Sequence, residues 1–170
     1  MTCLNRQVEP AKAILRADPA VRHQTIRTFG ASGAWWATGI GDSACMDEIL
    51  AYLYTDKGIA LNAYRHNIGG GREGRPLADD KSGPDSWRAV PCPLKADGRI
   101  DIGADANAWR VLRQVNALGT VDDITIFMNS PPESMTVNGK TYNDSTGSNL
   151  RPECYEAYAA FCADVAEAYL

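Results

Sequence analysis

The residues best placed to do chemistry are Arg65, His66 and Asn67, which stand just ahead of the triplet Gly69, Gly70 and Gly71. They close a segment of strand-forming character, Ile59 to Asn67. Side chains of a strand alternate with period two, so Leu61, Ala63, Arg65 and Asn67 share one face. That face is apolar below and polar at its last two positions. A strand ending in Arg and Asn, followed by glycines that let a backbone approach a ligand closely, describes the rim of a binding site. The structural alternative is that Arg65 pairs with a local carboxylate and Asn67 caps a turn. A second candidate pair is Trp35 and Trp36, which follow the small residues from Gly30 to Ala34. Adjacent residues on an extended chain point to opposite faces, so one indole is expected to be exposed or to stack on a ligand. Asn129 and Ser130, at the end of a third strand-like segment, complete the set.

Other chemistries fit less well. Gly69, Gly71 and Gly74 have G-x-G-x-x-G spacing after a strand, but a dinucleotide site needs a helix to start there. Arg75-Pro76 and Ser82-Gly83-Pro84 oppose that helix. Ser32, between Gly30 and Ala34, is one glycine short of a nucleophile elbow, and Trp35 to Gly39 carries no helix-start signal. Asp79, Asp80 and Glu133 are loop carboxylates whose spacing marks no acid/base pair. Five cysteines (Cys3, Cys45, Cys92, Cys154 and Cys162) give an odd count without C-x-x-C, so neither a disulfide framework nor a zinc site is signalled. No metal and no cofactor are expected.

The elements that must hold these residues follow from periodicity. Ala11 to Ala17 and His23 to Phe29 are β-like around Asp18-Pro19, and predict a hairpin. Met46, Ile49, Leu50 and Leu53 recur at helical spacing after Asp42-Ser43. A second helix is expected from about Ala104 to Leu118, with Ala108, Leu112, Val115 and Leu118 buried and Gly119 as its cap. A buried strand spans Asp123 to Asn129. The last helix opens at Pro152 and places Tyr158, Phe161, Cys162, Val165 and Tyr169 on one face. The long segment from Gly69 to Gly103 reads as an ordered loop, with Trp87 and Cys92 inside it. Strand and helix alternate, long loops follow strands and short loops precede them. That pattern predicts an α/β fold with a parallel sheet whose site lies at the strand C-termini, as in a (β/α)8 barrel.

The totals set outer limits. At 170 residues the chain can bury one core, and its net charge of −4 without a basic cluster argues against a nucleic-acid partner. The first residues lack the apolar run of a signal peptide and no stretch is long enough to span a membrane, so the expected location is cytoplasmic with no membrane partner.

Read together and in order, Gly30 to Trp36, Arg65 to Gly71 and Asn129-Ser130-Pro131-Pro132, with the helix start Leu150 to Tyr155, resemble glycoside hydrolase family 30. The closest likeness is to endo-β-1,6-galactanase-like proteins, over roughly Gln24 to Leu170. The resemblance implies a partial TIM barrel: residues 1–28 as a hairpin of a side β-structure and 29–170 as the first three βα units. It implies retaining hydrolysis of β-linked sugars by two glutamates, with a galactan-like oligo- or polysaccharide as partner. Arg65 would support the nucleophile, and Trp35, Trp36 and Asn67 would lie near the sugar subsites. Thr28 and Ser134 depart from the family pattern, the latter where an aromatic often stands. The Asn-Glu-Pro context of the family's acid/base glutamate does not occur in this chain. The expectation is therefore a fragment without either catalytic glutamate, inactive alone, with open sheet edges and an apolar inner face that favour self-association. The alternatives are a noncatalytic carbohydrate-binding remnant using Trp35, Trp36 and Trp87, or the disfavoured nucleotide-binding module.

Overall fold

Strand and helix do alternate in the computed structural model, which describes residues 16–71, 90–142 and 147–169. In chain order the elements are β1 (Gly30–Ser32), α1 (Trp36–Ile40), α2 (Met46–Tyr54), β2 (Ala63–Ile68), α3 (Ala106–Ala117), β3 (Asp123–Met128) and α4 (Tyr155–Ala168). The three strands form one parallel sheet in the order β1-β2-β3. Its register sets Ser32 opposite Arg65, Arg65 opposite Thr125 and Asn67 opposite Phe127. Parallel neighbours require crossovers, and the helices between the strands supply them.

Period-two alternation sorts the sheet residues between its faces. Tyr64, Ile68, Ile124, Ile126 and Met128 turn toward the helices. Tyr64 packs with Met46, Leu50 and Tyr54 of α2 and with Ala108, Val111, Leu112 and Val115 of α3. Ile68 packs with Cys92 and with Phe161 and Val165 of α4. Burying each such Leu, Ile, Val or Phe side chain stabilises the fold by about 1.5–3 kcal/mol. Tyr169, just past α4, belongs to both clusters and ties them together.

The opposite face carries Gly30, Ser32, Ala63, Arg65, Asp123, Thr125 and Phe127, and the described helices all pack away from it. This corrects the expected apolar inner face: the residues there are small or polar, and the one large ring, Phe127, lies beneath the Arg65 guanidinium. The outer edges of β1 and β3 have no strand partner among the described residues.

Several boundaries differ from those expected. His23–Phe29 forms no strand and is largely exposed, so the second arm of the hairpin is absent there; most of the first arm lies outside the described residues. The strand expected from Ile59 begins only at Ala63. The Ile59 and Leu61 amides donate instead to the Tyr52 and Leu53 carbonyls, at 2.9 and 2.8 Å, and Ala60 takes φ 49° in the tight return from α2. Helix α1 starts at Trp36, where no start signal was visible. Tertiary contacts supply what its five residues lack: Asn107 donates to the Thr38 carbonyl at 3.0 Å and Arg110 to the Gly41 carbonyl at 2.7 Å. Helix α3 is capped by Asp105, whose Oδ1 accepts from the Ala108 amide at 2.9 Å while Oδ2 accepts from the Thr38 hydroxyl at 2.7 Å. This capping carboxylate thereby joins α1 to α3.

Candidate functional site

Arg65 is held from two sides on the open face. Its Nε donates to Ser32 Oγ at 3.2 Å, and its guanidinium carbon sits 4.1 Å from the centroid of the Phe127 ring. The stacking is worth about 0.5–1 kcal/mol at an exposed position and fixes the plane of the fork. No carboxylate pairs with Arg65 among the described residues. Ser32 in turn accepts from the Ala34 amide at 3.2 Å, so its oxygen is committed to holding the turn and the arginine rather than poised as a nucleophile.

Asn67 shares this face by alternation, yet it is only 5% exposed, and neither its Oδ1 nor its Nδ2 has a protein partner. A buried amide with both ends unsatisfied is expensive, about 1–3 kcal/mol, and in a native structure asks for an explanation. It does not cap a turn.

Between them His66 faces the helices. It is 2% exposed, with Nε2 3.2 Å from the Tyr169 hydroxyl and ring contacts to Tyr64 and Tyr169. Burial disfavours the imidazolium and lowers its pKa to about 4, so the ring is neutral. A cavity of about 10 Å³, bordered by His66, Asn67, Asp101, Asp105 and Tyr169, lies beside it.

The tryptophans do not behave as an alternating pair, because β1 has already ended at Ser32. Trp36 opens α1, donates from its indole Nε1 to the Ser32 carbonyl and packs edge-on to Tyr64 at 6.3 Å, on the helix side of the sheet. Trp35 is half-buried. Trp87, Asp79 and Asp80 lie outside the described residues.

Two of the three glycines have a structural cause. A Cβ on Gly69 would collide with the Val90 carbonyl, and one on Gly70 with the Pro131 carbonyl and Ser130 Oγ. The backbone that approaches closely here is the protein's own. Glu133 donates through its amide to the Gly70 carbonyl at 2.9 Å and Asn129 through its amide to the Ile68 carbonyl at 3.1 Å, which brings the chain after β2 and after β3 together, while the Cys92 amide donates to the Gly71 carbonyl at 2.7 Å within the loop after β2. Asn129 is exposed and Ser130 half-buried at this end of the sheet.

Between the two loops lies a cleft of about 600 Å³, lined among others by Gly70, Cys92, Lys95, Glu133 and Ser134. Burial pushes the Cys92 thiol up to about 11, with a smaller contribution from the Glu133 carboxylate, so it is protonated at neutral pH. Lys95 bridges to Asp101 at 3.1 Å. The sequence singled out Ser134 only as a departure from the family pattern and did not single out Lys95; both stand in loops following strands. Among the described residues no group of His, Cys, Asp and Glu could hold a metal ion, and no helix is long and apolar enough to cross a membrane.

Residues 12–170 match the model of O-glycosyl hydrolase family 30. The chain belongs to that family. Among solved structures, a conserved exported protein from Bacteroides fragilis is similar over 89% of this chain, with 26% identity and a TM-score of 0.71. A glycoside hydrolase family 30 subfamily 8 xylanase from Clostridium acetobutylicum is similar over 88%, with 28% identity and a TM-score of 0.56. An endo-β-1,6-glucanase shares the fold at 19% identity and a TM-score of 0.53. This family 30 chain spans about a third of each of them: 33%, 30% and 33% of their lengths. A comparison with curated proteins finds no match.

Proposed function

We propose that this family 30 chain forms the first βα units of a (β/α)8 glycosidase barrel and holds a β-linked, galactan-like glycan at the C-terminal end of its sheet. The observation that carries the reading is the pair on β2. Arg65 presents a fork fixed by Ser32 and Phe127. Two residues on, Asn67 offers a buried donor and acceptor with no protein partner, which a pair of sugar hydroxyls matches. Asn129 and Ser130 extend the same end of the sheet, and Trp35 borders it.

The chain by itself is expected not to cleave the glycan. Retaining hydrolysis needs two carboxyl groups about 5–5.5 Å apart. Among the described residues the open face carries one carboxylate, Asp123, and it lies opposite Ala63 at the far end of the strands. Titration calorimetry with β-1,6-galactan fragments, paired with an assay for released reducing ends, tests both parts. Binding that Arg65→Ala abolishes, without cleavage, supports the proposal. Absence of binding, or turnover by the purified chain, contradicts it.

A further inference from the structure

On the helix side of the sheet, His66 is 2% exposed, and its Nε2 lies 3.2 Å from the Tyr169 hydroxyl. Its Nδ1 is buried and has no partner among the described residues. Burial keeps the ring neutral, so it carries a single N–H. Burial, helped by the Asp105 and Asp101 carboxylates, also raises the Tyr169 phenol, so that hydroxyl keeps its proton. A buried O–H needs an acceptor, and the acceptor at hydrogen-bond distance is His66 Nε2. The phenol therefore donates to Nε2, and the ring proton sits on Nδ1. That leaves a buried N–H, for which native structures find a protein group or an ordered water.

Beside the ring lies the cavity bordered by His66, Pro93, Asp101, Asp105 and Tyr169. It offers about 10 Å³, and a single water needs about 10–15 Å³, so size excludes a sugar or an oxyanion. Charge then separates a water from a cation. The Asp101 carboxylate already takes the Lys95 ammonium at 3.1 Å and the Gly103 amide at 2.9 Å. The Asp105 carboxylate takes the Ala108 amide and the Thr38 hydroxyl, and the N-terminus of α3 favours its charge. An N–H facing the space repels a cation, whereas a water accepts from it. Carboxylate oxygens each have a further lone pair to receive the water's own protons. We propose that this cavity is a site for one resident water, which accepts from His66 Nδ1–H and donates to the Asp101 and Asp105 carboxylates. The water thereby ties β2 to the loop that opens α3, independently of any glycan on the opposite face.

The test uses the whole chain, isotopically labelled, at a pH where the ring is neutral. Histidine ring nitrogen spectra should show His66 protonated at Nδ1 and bare at Nε2. The Nδ1 proton should give a cross-peak to a water that exchanges slowly enough to appear in deuteron relaxation dispersion. His66→Phe removes the N–H and keeps a ring, and the slow water should be lost. If that variant does not fold, the spectra of the native chain decide alone. Replacing sodium by potassium or choline at constant ionic strength should leave the His66 ring signals unshifted. A ring protonated at Nε2, or an Nδ1 proton without a water contact, overturns the proposal. A slow water that persists in folded His66→Phe does so too, as does a saturable shift of the ring signals with one alkali cation, which would make this a metal site.

Discussion

Acidification should weaken this fold through one buried ring. His66 is 2% exposed, and burial lowers its pKa from the ordinary 6.5 to about 4. The unfolded chain takes up a proton near the ordinary value, whereas the native state takes one up only near the lowered value. Stability is therefore full above about pH 6.5 and is lost as pH falls toward about 4, since over that window only the unfolded state binds the proton. The gap of about 2.5 pH units, at about 1.36 kcal/mol each, amounts to about 3 kcal/mol. Against a typical domain stability of about 5–15 kcal/mol that is a large fraction. Urea unfolding of the native protein and of His66→Gln, in steps from about pH 7.5 to 4.5, isolates the effect as a difference curve. Asp101 and Asp105, which border the same cavity, are present in both proteins, and His23, the other histidine, is exposed. The native protein should lose about 2–3 kcal/mol more than the variant over that range. A flat difference curve would mean that His66 titrates alike in both states, and the buried neutral ring would have to be abandoned.

Three further substitutions probe the neighbouring geometry. Asn67→Leu removes a buried amide that has no protein partner, so the melting temperature should rise by the equivalent of about 1 kcal/mol while galactan binding weakens; a loss of stability would show that the amide is satisfied. Gly70→Ala forces its Cβ against Pro131 and Ser130, and denaturant unfolding should show a loss of about 1–3 kcal/mol. Asp105→Ala deletes the cap of α3 and the partner of Thr38 together, a loss of about 1–2 kcal/mol that Asp105→Asn should largely restore in the same assay.

Much of this arrangement was legible in the sequence because it rests on local periodicity. The stripe Ala108, Leu112 and Val115 and the face Phe161 and Val165 are buried as their spacing required. The parallel order of the three strands follows from strand–helix alternation. Arg65 and Asn67 were readable as a polar strand end. What could not be read depends on contacts between distant segments. Nothing local marks α1, whose carbonyls are satisfied by Asn107 and Arg110 some 70 positions on. The packing of Gly69 against Val90 and Gly70 against Pro131 looks, in sequence, the same as a ligand-binding glycine loop. Trp36 packs on the helix side of the sheet, because alternation holds only while a strand continues and β1 stops at Ser32. The hairpin arm His23–Phe29 had β-forming residues but no strand beside it to pair with among those described.

By the proposed function, Arg65 and Asn67 together hold a β-linked glycan. It is tested most directly by amide and guanidinium NMR of the isotopically labelled chain, titrated with a β-1,6-galactan fragment. The expected result is saturable shifts of the Arg65 Nε and Asn67 Nδ2 signals, with small changes elsewhere on β2. Signals from both groups that stay fixed while the fragment binds at another surface, or while nothing binds, would contradict it.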